Sequence, residues 1–355
     1  MLQGCGGVAP GGRVVILHEP PGFGYYDPGL APAVARTARK LGYAATLHDA
    51  GFSPDPPDLP PDLAAQMAAA DATLFLARLG DQVRFRPGEG VDRAIVSYAL
   101  DLDTLAAPFG TLDHGAMAVL RGAIDRALAA AATIRITCPA GTDLSGRLGD
   151  DAKAPTDTVT RRFPLLVSTP MPMAGFAGRV VQRGFLVGTG SRYYTPYACV
   201  LEDPLTVHIR GNRIAGFEGA ARDIDAAERH YETVAARYGI DPWYVHSWHA
   251  GIHPACRFEG PASAGFERWS GSAFGNPRLL HIHTCGAYAP GEISLNIADP
   301  TVTADGVAIW DRGRLRPERV PGGGDVLGKH PDLAAAFADP VRECGLGPDG
   351  TLGFA

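Results

Sequence analysis

Five of the eleven histidines in this 355-residue chain, His246, His249, His253, His281 and His283, fall between residues 246 and 283. An even scatter would place about one there. Imidazole both ligates metals as a neutral ring and titrates near neutral pH, so its concentration points to a metal or proton-transfer site. The first group lies in WYVHSWHAGIHP, residues 243–254. If this segment is extended, the two-residue period puts Ser247, His249, Gly251 and His253 on one face and His246 with Trp248 on the other. His249 and His253 are then the favoured pair, with Gly251 leaving room for a metal or substrate between them. The second group, LLHIHTCG over residues 279–286, reads as a strand. Its alternation aims His281 and His283 the same way, about 7 Å apart. Burying both leaves four ring nitrogens to satisfy, and coordination does so while keeping the rings neutral.

A carboxylate follows at Glu292, in PGEIS over residues 290–294. Two imidazoles and one carboxylate on one side of an ion, with other positions open, form the facial arrangement of non-haem iron oxygenases. The same ligand types suit a catalytic zinc of the His₂Glu kind, so they leave both chemistries open. Cys256 and Cys285 flank the histidines, where buried small residues are commoner than soft ligands or nucleophiles. The segment GTGSRYY, residues 188–194, reads as a substrate-contacting loop or a plain hairpin. The chain contains neither a G-x-S-x-G elbow nor an H-E-x-x-H pair. The glycines between Gly4 and Gly12 precede the first expected strand, whereas a dinucleotide fingerprint follows one.

The elements that must position these residues change character along the chain. RVVILH (13–18) is a short β-branched run, and ATLFLA (72–77) a second core strand, with helix-like stretches at 28–41 and 63–70. This rhythm argues an α/β N-terminal domain with a small parallel sheet, residues 1–145. Beyond a polar crossing at residues 144–163, short strands and Gly/Pro turns take over (179–187, 197–201, 205–209). A single amphipathic helix interrupts them, with Asp223 as N-cap and Gly239 as terminator. Residues 146–355 are therefore expected to form an α+β, mostly antiparallel, metal-binding domain.

Composition narrows the partners. Apolar residues make up 46% and charged ones 20%, as in a globular protein of about two domains. Forty-five Gly and thirty Pro indicate many turns. A net charge of −6 provides no basic field for a nucleic-acid backbone. The six cysteines show no C-x-x-C spacing, which reads as reduced thiols in a cytoplasm. No leader-like N-terminal pattern occurs, and the most apolar stretch, near residues 127–136, is far shorter than the roughly 20 residues a spanning helix needs. A cytoplasmic protein without a membrane partner is expected.

Several segments resemble the M29-like metalloenzyme group, which includes leucyl aminopeptidases of the aminopeptidase T type and iron-dependent 2,5-dihydroxypyridine 5,6-dioxygenases. TIRITCPAGTDL (133–144) looks like that group's strand and loop, and DPLTV (203–207) with GNRI (211–214) like its hairpin. Trp248–Pro254, Gly275–Gly286 and EISLNIADPTVTADG (292–306) sit where the group carries its ligand segments. The chain departs from the group where His-x-Asp becomes Glu292-Ile293-Ser294 and where TPMPMAGFAG (169–178) holds no acid. A two-metal peptidase needs several bridging carboxylates, so these departures favour a mononuclear, histidine-rich site.

With the resemblance, the sequence implies a mononuclear non-haem Fe(II) oxygenase acting, with O₂, on a small hydroxylated aromatic or N-heterocyclic substrate. His249, His281 and Glu292 are the first-choice ligands, with His283 as the alternative. His253 or His246 would move protons, and Trp248, Trp269 and Tyr288 would wall the pocket. Zn(II), Mn(II) or Co(II) are the other candidate ions. A metal-dependent hydrolase of the aminopeptidase kind is the second reading, and a non-catalytic binding protein the third. The group's two-domain members commonly pair, so the resemblance implies a homodimer.

Overall fold

The structure, a computed structural model, describes residues 1–55, 59–86, 88, 90–148, 158–286 and 290–347. The chain divides into two compact units, Met1–Gly115 with Asp157–Leu165, and Ala116–Thr156 with Leu166–Ala355. An α/β unit with a small parallel sheet is followed by an α+β, mostly antiparallel one. Among the described residues no helix is long and apolar enough to cross a membrane.

In the first unit, β1 (Arg13–His18), β2 (Ala44–Asp49), β3 (Ala72–Leu76) and β4 (Ala94–Ser97) pair in parallel in the order β2-β1-β3-β4. Helices α1 (Leu30–Lys40), α2 (Pro61–Ala69) and α3 (Leu79–Val83) connect them, and α4 (Leu102–Ala106) and α5 (Pro108–Thr111) follow. The run VVIL is apolar throughout because both faces of the sheet are covered. Val14 and Ile16 enter one core with Leu30 and Val34 of α1, while Val15 and Leu17 enter the other with Met67 of α2. Gly42 closes the first crossover at φ +87°, a conformation that a Cβ disfavours.

After α6 (His114–Ala130), β5 (Ile134–Thr137) and β6 (Asp143–Gly146) belong to the second unit, and β7 (Arg161–Phe163) returns to the first to pair with β4. Residues 116–145, read from sequence as part of the N-terminal domain, thus pack in the second unit. The reason is pairing: β5 bonds to β6, and the two bond outward to strands from much later in the chain.

The second unit continues with β8 (Met171–Pro172), β9 (Phe176–Gln182), β10 (Phe185–Val187), β11 (Ala198–Val200), β12 (Leu205–Arg210) and β13 (Arg213–Glu218). Helix α7 (Ala221–Tyr238) leads to β14 (Val245–Ala250), α8 (Phe266–Ser272), β15 (Leu279–Cys285) and β16 (Glu292–Ala298). Strands β17 (Thr301–Ala304), β18 (Val307–Asp311) and β19 (Arg314–Leu315) complete an eight-stranded sheet ordered β13-β12-β9-β6-β5-β17-β18-β19. The six-stranded sheet runs β11-β10-β16-β15-β14-β8. Asp223 is not the N-cap of α7. It lies inside the first turn, buried, and its carboxylate accepts from the backbone N–H groups of Glu202 and Asp203.

Candidate metal centre

Strands β14, β15 and β16 are neighbours, and their register builds the site. His249 lies opposite His281 and Ser247 opposite His283 across β14 and β15. His281 lies opposite Asn296 and His283 opposite Ser294 across β15 and β16. Directly opposed residues share a sheet face. The result is two polar rows, His249–His281–Asn296 and Ser247–His283–Ser294, on a face that continues into apolar Leu279 and Val187.

The three rings are buried, at 5%, 3% and 8% exposure for His249, His281 and His283. One ligand nitrogen of each lies within 4.8 Å of those of the other two. Hydrogen bonds decide the tautomers of two rings. His249 Nδ1 lies 3.2 Å from the Ser168 carbonyl oxygen, which only accepts, so Nδ1 carries the proton. His283 Nδ1 donates to Glu292 Oε1. When neutral, both rings therefore present bare Nε2 lone pairs, and these two nitrogens face each other at 2.8 Å. Lone pairs so placed repel unless a cation or a shared proton lies between them. Nitrogens about 2.1 Å from one ion and at right angles stand about 3 Å apart, so the spacing fits joint coordination. His281 stacks on Phe274, with centroids 4.1 Å apart and planes 15° from parallel.

Other expected site residues fall differently. Glu292 does not join the three convergent nitrogens. The register sets Glu292 opposite Cys285, one step along from His283, so its carboxylate meets the Nδ1 edge of that ring diagonally. Its second oxygen accepts from the Thr189 hydroxyl. Trp248 points to the opposite face and packs edge-on against Phe176 of β9, with centroids 6.2 Å apart, so it does not wall the triad. Trp269 lies behind Phe274 at 5.1 Å and donates from Nε1 to the Cys344 carbonyl. Tyr288 lies outside the described residues.

His253 lies past the end of β14, in a turn where its Nδ1 accepts from the Ala255 N–H. Gly251 leaves space for backbone rather than for a ligand: a Cβ there would stand 2.1 Å from the Asn276 carbonyl oxygen. The β14 register shifts at His246, a bulge that re-aims its side chain. Its Nδ1 lies 2.9 Å from Ser247 Oγ. Burial pushes His246 below the usual imidazole range, and His283 adds to that effect while Glu292 opposes it. Burial pushes the Cys256 thiol well above its ordinary value and the Cys285 thiol up to about 12, so neither offers a ready thiolate.

The chain resembles a solved structure, that of 2,5-dihydroxypyridine dioxygenase from Pseudomonas putida KT2440. The two share 13% sequence identity at a TM-score of 0.56, over 86% of this chain and 92% of that one. The likeness is one of fold. No protein-family model matches the sequence, and no curated protein matches it.

Ser168, Phe274 and Asn296 carry no site expectation from the sequence, and Thr189 lies in the 188–194 segment that reads as a substrate-contacting loop or a plain hairpin, whereas its partner here is Glu292. Alternation from Glu292 through Ser294 carries a signal for Asn296. Ser168 and Phe274 reach the site through contacts that no local pattern encodes.

Proposed function

We propose that this chain is a mononuclear, metal-dependent oxygenase that binds Fe(II) through His249, His281 and His283 and acts on a small hydroxylated aromatic or N-heterocyclic compound. The observation that carries the reading is the pair of Nε2 atoms 2.8 Å apart, each on a ring whose Nδ1 is tied to an acceptor. Bound there, the ion would supply Lewis acidity toward an oxygen donor of the substrate and a redox couple for O₂ chemistry.

The chain's own residues do the rest. Ser168 and Glu292 orient two of the imidazoles, as outer partners of metal-bound histidines commonly do. Phe274 fixes the plane of the third ring by stacking. Three neutral ligands leave a divalent charge largely uncompensated, which suits an ionised hydroxyl on the substrate. We assign to His246, at the bulge, the holding or passing of a proton.

The test couples metal analysis of chelator-free protein to oxygen consumption against hydroxypyridines and catechols. The oxygenase reading expects about one iron per chain, activity lost without air, and no activity with zinc. Turnover that persists anaerobically with zinc would establish the hydrolase instead.

A further inference from the structure

The loop that joins β10 to β11 grips the residue behind the histidines from two sides. The Thr189 hydroxyl donates to Glu292 Oε2, and the Tyr194 hydroxyl donates to the Glu292 backbone carbonyl at 2.7 Å. The loop is itself fastened. The Tyr197 hydroxyl lies 2.7 Å from Ser270 Oγ of α8, the Arg192 N–H donates to Glu267 at 2.8 Å, and the Tyr238 hydroxyl of α7 donates to the Tyr193 carbonyl at 2.6 Å. Gly188 admits this packing, since a Cβ there would stand 2.4 Å from the Tyr197 ring.

A glutamate side chain has three rotatable bonds, and one contact to His283 does not fix them. A second contact from a fastened backbone does. We propose that Thr189 is a positioning residue of the metal centre: its hydroxyl orients the Glu292 carboxylate, which in turn holds His283 with Nε2 turned to the ion. The inference rests on the reading of the three histidines as ligands. Because the path runs Thr189 to Glu292 to His283, the effect of Thr189 must pass through Glu292.

Loss of an outer partner commonly costs 10–100-fold in metal affinity. Competition titrations of Co(II) against a chromophoric chelator would be run on the wild-type chain, Thr189→Val, Thr189→Ser, Glu292→Ala, Thr189→Val/Glu292→Ala and His281→Ala. The expected results are an affinity about tenfold weaker in Thr189→Val and near wild type in Thr189→Ser. The valine change should add no further loss once Glu292→Ala, which removes both contacts, is present. A purely structural role for Thr189 would instead weaken binding additively in the double variant, and that result overturns the proposal. Wild-type affinity in Thr189→Val, with binding still lost in His281→Ala, also overturns it while leaving the triad intact. Wild-type protein that takes up no Co(II) removes both the triad and the proposal. Should Thr189→Val fail to fold, Thr189→Ala carries the same comparison.

Discussion

At the C-terminal ends of β1 and β3 in the first unit, Glu19 and Arg78 are buried side by side, with Arg78 Nε donating to Glu19 Oε2 at 2.9 Å. The Arg78 guanidinium carbon also lies 3.6 Å from the Phe52 ring centroid and 5.0 Å from that of Tyr25. The strand order reverses between these two strands, and open α/β sheets bind ligands outside their strand ends at such a point. On β14 and β15 of the second unit the buried groups are three imidazoles. Both sets take polar atoms out of water, where each needs a partner. The ion pair is matched within itself, donor to acceptor and charge to charge. The imidazole pair turns acceptor toward acceptor, and a cation or a proton completes it. Polar groups buried at a place where related architectures hold ligands are therefore weak evidence of a site; what matters is whether the groups satisfy one another.

The largest effect should come from breaking the self-matched pair. Arg78→Met leaves Glu19 buried without its cation and is expected to cost about 3–5 kcal/mol, read by urea denaturation. The double change Glu19→Leu/Arg78→Met should recover most of that loss, and metal uptake by the folded protein should follow wild type in both. A double variant as unstable as the single one would show that the two side chains matter for something other than each other.

A buried histidine away from the triad sharpens the contrast. His230 of α7 is held neutral by burial, which lowers its pKa to about 4. The unfolded chain takes up that proton near pH 6.5, so unfolding gains protons and stability falls as pH drops from 6.5 toward 4. The full loss is about 3 kcal/mol. His230→Leu should remove this component, flattening the acid limb of a denaturation series over that window. An unchanged acid limb would contradict the assignment.

The smallest effect should come from Trp248, which shares β14 with His249 but faces the other way. Its indole N–H is buried and makes no hydrogen bond to the described residues. Trp248→Phe thus forfeits packing alone, about 1–2 kcal/mol. Co(II) affinity should be unchanged, and a tenfold loss would return Trp248 to the site.

Much of this arrangement was legible in the sequence, for reasons that are local. The runs RVVILH and LLHIHTC carry their own periodicity, so the first strand and the common direction of His281 and His283 follow from composition at adjacent positions. His249 joins them because β14 pairs with β15 in a register that one strand alone does not reveal. What stayed hidden depends on contacts across the chain. The bulge at His246, the backbone of Asn276 pressed against Gly251, and the diagonal from Glu292 to His283 all arise from pairing. Asp223 looked like a helix cap because its type suits one, and tertiary contacts to residues 202 and 203 claimed its carboxylate instead.

The central claim, that imidazoles from two strands hold one ion, is tested most directly by divalent metal stoichiometry in the wild type and in His249→Ala, His281→Ala and His283→Ala, with folding checked by circular dichroism. The account expects about one ion per wild-type chain and near none in each folded variant. Equal uptake in all four proteins, or none in the wild type under reducing, chelator-free conditions, would contradict it.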